Sequence, residues 1–122
     1  MNHAEMEKRI NDEGDTNGFD DVFARYVSER YRVHVADVVA VIENEKAYLL
    51  DNKLIKGIHK YAKAQQVACK RINSWLWQAP NDSLQLTSYA QIASLVAGAR
   101  KSYVWSIIVG KSFPVRRLLG DT

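Results

Sequence analysis

Residues 86–120 read LTSYAQIASLVAGARKSYVWSIIVGKSFPVRRLLG, and how this stretch folds decides the class of the whole chain. Thr87 or Ser88 supplies a helix cap. Tyr89, Ile92, Ala93, Leu95 and Val96 then recur at the three-and-four spacing of a helix face. Gly98 follows, at a turn where a left-handed backbone suits glycine. Lys101–Val109 forms a second helix, with Val104, Ile107 and Ile108 turned back on the first. The expected unit is a helix-turn-helix, with Ala93 as the small residue that a closely crossing second helix requires.

Ser102, Tyr103 and Ser106 share another face of that second helix, with Arg100 and Lys101 at its front. Small polar and basic groups there suit entry into the DNA major groove, and a helix N-terminus accepts a phosphate. On this reading Lys101, Ser102, Tyr103 and Ser106 approach base edges, while Arg100, Lys111, Arg116 and Arg117 hold phosphates. An ordinary helical hairpin with a glycine turn produces the same apolar spacing, so the pattern alone leaves both open.

The residues after the second helix carry a resemblance. Gly110-Lys111-Ser112-Phe113-Pro114, followed by Val115-Arg116-Arg117, is similar to the segment after the recognition helix of excisionase/AlpA-type phage regulators. Leu86-Thr87, Ile92-Ala93 and Val104 fall in that family's order, with a turn one residue longer than its commonest form. The resemblance spans 86–120 and implies double-stranded DNA as partner and a wing after the second helix, from which the sequence departs by stopping at Thr122 before the strand and helix that usually follow the wing. It also implies a small transcriptional regulator or accessory factor of a plasmid- or phage-like element. A second resemblance joins Thr87-Ser88-Tyr89-Ala90-Gln91-Ile92-Ala93 to the DNA-binding domain of alkylguanine-DNA alkyltransferases. Pro114-Val115-Arg116-Arg117 stands where that family has Pro-Cys-His-Arg. Val115 replaces the acceptor cysteine and Arg116 the histidine, so no thiolate exists there and alkyl transfer is excluded.

Upstream, Leu54, Ile58, Tyr61, Ala62, Gln65, Ala68, Cys69, Ile72, Trp75, Leu76 and Ala79 follow one helical stripe. The pattern predicts a spine helix over 53–78, about 40 Å long, capped by Asp51-Asn52 and ended by Pro80. Lys56, Lys60, Lys63 and Lys70 lie on its other side with no carboxylate between them. They form either a solvated face or a phosphate-facing row. His59 sits beside them without metal ligands at a workable spacing, so no metal site is expected. Trp75, Trp77 and Trp105 read as core or dimer-interface residues, with Trp77 and Tyr103 the pair expected at the surface.

Two further helices precede the spine. One is expected over 36–50, with Val38, Val39, Ile42, Leu49 and Leu50 inward and Glu43 and Glu45 largely off that face. His34 near its start reads as a surface or capping residue. The other covers 19–31, with Phe19, Val22, Phe23, Tyr26 and Val27 inward and Asp20 and Asp21 in the first turn. Residues 1–17 are acidic and offer only Met6 and Ile10 as large apolar groups after Met1, which predicts a mobile tail with a frayed helix at 3–11. The predicted architecture is thus all-α: residues 1–17 as tail, and 18–122 as one helical domain ending in the helix-turn-helix.

Charge divides the chain. Residues 1–50 hold six Lys/Arg against eleven Asp/Glu, and residues 51–122 hold eleven against three, so the halves carry −5 and +8. A basic half points to a polyanion, or to the acidic half it faces. Cys69 is the single cysteine, which excludes an intrachain disulfide framework and a cysteine zinc site and reads as a core residue. No apolar run reaches the roughly 20 residues of a membrane span, and no signal peptide opens the chain, so a cytoplasmic protein is expected. No nucleophile–base pair, phosphate-cradling glycine loop, cofactor motif or small-molecule site is evident, which argues against an enzyme. The expectation is a sequence-specific DNA-binding homodimer without cofactors. The alternative is a helical adaptor or immunity module that meets an acidic protein.

Overall fold

A computed structural model of the chain describes residues 1–78 and 89–108, with side chains in the second span as far as Ala99. Among the described residues five helices run in order: α1 His3–Glu13, α2 Phe19–Tyr31, α3 Val35–Asp51, α4 Lys60–Trp77 and α5 Tyr89–Ile108. Every regular element among the described residues is helical, so the fold is all-α. α4 packs on α1 and α3, and α3 also packs on α2 and α5. The centre of the core is built from Phe19, Phe23, Ile42, Leu49, Ile72, Trp75, Leu76 and Ile92.

α2 and α3 lie within a residue of their expected bounds, for the expected reasons. Gly18 enters α2 at φ 87°, a left-handed conformation that favours glycine, and Asp20 and Asp21 complement the helix dipole. Arg32 ends α2 at φ 57°, and its N–H bonds the Ser28 carbonyl. His34 occupies the N-cap position of α3 without a side-chain capping bond.

The other helices correct the sequence reading. α1 covers the helix expected at 3–11, but it is capped and packed where a frayed helix in a mobile tail was expected. Asn2 and Glu5 make a reciprocal capping box, with bonds of 2.9 and 3.2 Å. Met6 and Ile10, one turn apart, are wholly buried against the core. Full burial of two such side chains contributes about 1.5–3 kcal/mol each, which offsets much of the ordering entropy of a short helix. Gln65 of α4 then donates to the Gly14 and Thr16 carbonyls, and Gln66 to that of Ile10, so α4 caps the end of α1. Gly14 is there for space: a Cβ would press on the Ile10 carbonyl oxygen and sit 2.9 Å from the Gln66 side chain.

The spine is shorter than expected. Asp51 closes α3, Asn52 is its C-cap, and α4 begins only at Lys60. Lys53 at φ 56° and Gly57 at φ 112° break the helical path between them. α4 has 18 residues, about 27 Å, and Leu54, Ile58 and Tyr61 leave the apolar stripe for the surface. From Ala64 onward the stripe is inward as read, with Ala68, Cys69, Ile72, Trp75 and Leu76 buried.

α5 is a single helix of 20 residues where two short helices and a turn were expected. Gly98 lies inside it, outside the left-handed region, exposed and with nothing within 4 Å of a would-be Cβ. One glycine costs a helix about 1 kcal/mol, too little to end one that buries Ile92, Val96 and Ala99 on a common face and contains no proline. Ala93, with Val41, Asn44, Val96 and Ala97, lines a gap of about 250 Å³ beside α3. Among the described residues the backbone at Gly98 is helical and makes no turn. The wing expected at 110–120 lies outside the described residues.

Candidate nucleic-acid interface

The basic surface begins in the loop between α3 and α4 and continues along α4. Lys53, Lys56, Lys60, Lys63 and Lys70 are all exposed. At about 100° per residue, Lys60, Lys63 and Lys70 fall within an arc of about 80° and a length of about 15 Å. The first turn of α4 holds no acidic residue, and His59 makes no side-chain cap. None of these five lysines takes part in an ion pair among the described residues. The sequence has no carboxylate between Asp51 and Asp82 to supply one locally. The positive end of the helix dipole adds to the same potential.

Apolar groups interleave with these charges, and the sequence reading missed them by assigning them to the core. Ile58 is 93 % exposed, Tyr61 67 % and Leu54 42 %. Lys60 Nζ lies 5.3 Å from the centre of the Tyr61 ring. Gly57 beside Ile58 was the available signal, since a glycine one turn before a lysine-rich segment marks a break in the stripe.

The rest of the expected site is placed only in part. Arg100, Lys101, Ser102, Tyr103 and Ser106 belong to the backbone of α5, but their side chains lie outside the described residues. Lys111, Arg116 and Arg117 lie outside them altogether, as do the capping residues Thr87 and Ser88. Of the expected row, Lys60, Lys63 and Lys70 lie on α4, whereas Lys56 stands in the break before it and not on a helix face.

The buried polar groups are structural. His3 Nδ1 faces Asn73 Oδ1 at 2.7 Å and the Tyr26 hydroxyl at 3.0 Å, while Nε2 meets the Tyr31 hydroxyl at 2.8 Å. Asn73 also donates to the His3 carbonyl at 3.1 Å, which turns its amide oxygen toward Nδ1 and requires the proton on that nitrogen. Burial lowers the His3 pKa, opposed by the bond to Asn73 and assisted by Arg30. The ring stacks on half-exposed Trp77 with centroids 6.1 Å apart. Glu45, read as lying off the apolar face of α3, is instead fully buried and pairs with Arg71 of α4 at 3.4 Å. Arg71 in turn covers the Trp75 ring at 4.9 Å. Cys69 is a buried core residue whose thiol burial pushes up to about 12, so it holds its proton at neutral pH. Among the described residues no group of three or more His, Cys, Asp or Glu side chains could hold a metal ion. No described helix is long and apolar enough to cross a membrane.

No protein-family model, curated protein or solved structure matches the chain.

Proposed function

We propose that the protein binds double-stranded DNA, as a small regulator or accessory factor, with the exposed face of α4 against the phosphate backbone. The observation that carries this reading is the lysine row: Lys56, Lys60, Lys63 and Lys70 are exposed and free of ion pairs among the described residues. Duplex DNA presents one charge per about 1.7 Å, so a row of about 15 Å meets several phosphates at once. Released counterions then drive association, and these contacts position the protein without reading sequence. Base readout falls to the C-terminal residues Lys101, Ser102, Tyr103 and Ser106, with Arg100, Lys111, Arg116 and Arg117 as further phosphate contacts. Association as a homodimer would double the contacts and give useful affinity.

One observation favours a second reading, an adaptor that meets an acidic protein. Ile58, Tyr61 and Leu54 are more apolar than a phosphate-facing surface needs, and exposed apolar groups rimmed by charge suit a protein partner. Selection of bound fragments from a random pool of duplex DNA separates the two. Enrichment of a common sequence supports the regulator, and no retention at low salt overturns it in favour of the adaptor.

A further inference from the structure

The acidic half contains a second basic feature, unrelated to the lysine row. Residues 1–50 hold only six lysines and arginines, yet Arg9 of α1 and Arg25 and Arg30 of α2 line one open groove of about 550 Å³. Gathering like charges in this way costs energy that dispersed positions would avoid. Glu29 is the acidic residue of the lining, which leaves it net positive. Arg9 makes a single bond, from one terminal nitrogen to Glu13 at 2.9 Å, and rests 5.9 Å from the Phe19 ring centre. A guanidinium has five N–H donors in a fixed fork, so this anchored residue keeps donors for an anion. Arg25 and Arg30 are exposed and stand on the neighbouring helix.

The rest of the lining is apolar. Met1, Val22 and Tyr26 contribute to it, and the Tyr26 hydroxyl is already engaged by His3. A volume of several hundred Å³ with an apolar wall and a few polar anchors is the usual make-up of a small-molecule site. Arginine forks match phosphate geometry in two-point contacts.

We infer that the α1–α2 groove is a binding site for a small organic phosphate, its phosphoryl group held by Arg9, Arg25 and Arg30 and its apolar body laid against Met1, Val22 and Tyr26. The inference does not depend on DNA binding, because the groove shares no residue with the lysine row. The site recognises the combination of head and body, so neither inorganic phosphate nor a neutral ring reproduces it.

Calorimetric titration of the full chain with phenyl phosphate tests this, with inorganic phosphate and phenol as comparison probes. Saturable binding of phenyl phosphate is expected, at least about tenfold tighter than either probe, a difference of about 1.4 kcal/mol. The double variant Arg25→Gln/Arg30→Gln should weaken it about tenfold or more while leaving the helical circular dichroism and the affinity for duplex DNA unchanged. Equal binding by wild type and variant overturns the proposal, as does inorganic phosphate or phenol binding as tightly as phenyl phosphate.

Discussion

His3 of α1 and Asn73 of α4 hold one another by two hydrogen bonds, ring nitrogen to amide oxygen at 2.7 Å and amide nitrogen to backbone carbonyl at 3.1 Å. They are seventy residues apart in the chain, and both are buried. The pair ties the first helix to the spine. Asn73→Ala removes both bonds and leaves the His3 ring N–H with the Tyr26 hydroxyl alone, at a cost of about 1–3 kcal/mol. Urea unfolding should therefore show a lower midpoint with an unchanged slope, whereas a loss under about 0.5 kcal/mol would mean that α1 does not depend on this contact.

The same pair sets a pH dependence. Burial lowers the His3 pKa below its ordinary 6.5, so the folded chain favours the neutral ring. The unfolded chain takes up the proton first as pH falls. The stability from neutral His3 is complete above about 6.5 and is lost as pH falls from there through the folded-state value. Thermal melts between pH 7.5 and 5 should show a falling midpoint, and His3→Gln should flatten that slope. Equal slopes in both proteins would contradict the assignment.

Glu45 and Arg71 form a buried cross-brace between α3 and α4 at 3.4 Å. Removing one partner leaves a charge in the core, so Glu45→Ala or Arg71→Ala should each cost about 3–5 kcal/mol. The apolar double replacement Glu45→Leu/Arg71→Met should cost far less than the sum of the two, because it removes both desolvation penalties together. Additive losses in a double-mutant cycle would show that the two side chains act independently.

Gly98 distinguishes a continuous α5 from a helix-turn-helix. Inside a helix, exposed, and with open space where a Cβ would be, it is replaceable. Gly98→Ala should raise stability by about 0.5–1 kcal/mol through helix propensity and reduced freedom of the unfolded chain. A left-handed turn at this position would instead make alanine destabilising, which chemical unfolding reads directly.

How legible this protein was in its sequence varied with how local the deciding forces were. The three-and-four spacing of Phe19, Phe23 and Val27, and of Val38, Ile42 and Leu49, is enough to place α2 and α3, since each helix is framed by its own turn chemistry. α1 depends on partners far away in the chain: composition condemned Met6 and Ile10 as too few, and only Gln65, Gln66 and Asn73 across the interface make them sufficient. Glu45 misled for a related reason, because its counter-charge Arg71 arrives from another helix. Gly98 and Gly57 exchanged roles. Gly98, expected at a turn, is helical, while Gly57, expected inside a helix, adopts φ 112°, because glycine's own spacing and type do not say which backbone region it takes. The lysine row was legible because charge of one sign at helical spacing needs no partner to be recognised.

The central claim is that the α4 lysine row meets DNA phosphates, and the salt dependence of binding measures this most directly. Fluorescence anisotropy with a labelled duplex, from 50 to 300 mM salt, gives the slope of log affinity against log salt concentration. Each phosphate contact contributes about 0.9 to that slope. Lys60→Gln/Lys63→Gln/Lys70→Gln alters exposed residues only, so the fold should be kept while the slope falls by about 2–3 and affinity drops on every sequence tested. An unchanged slope and affinity in the triple variant would contradict the account.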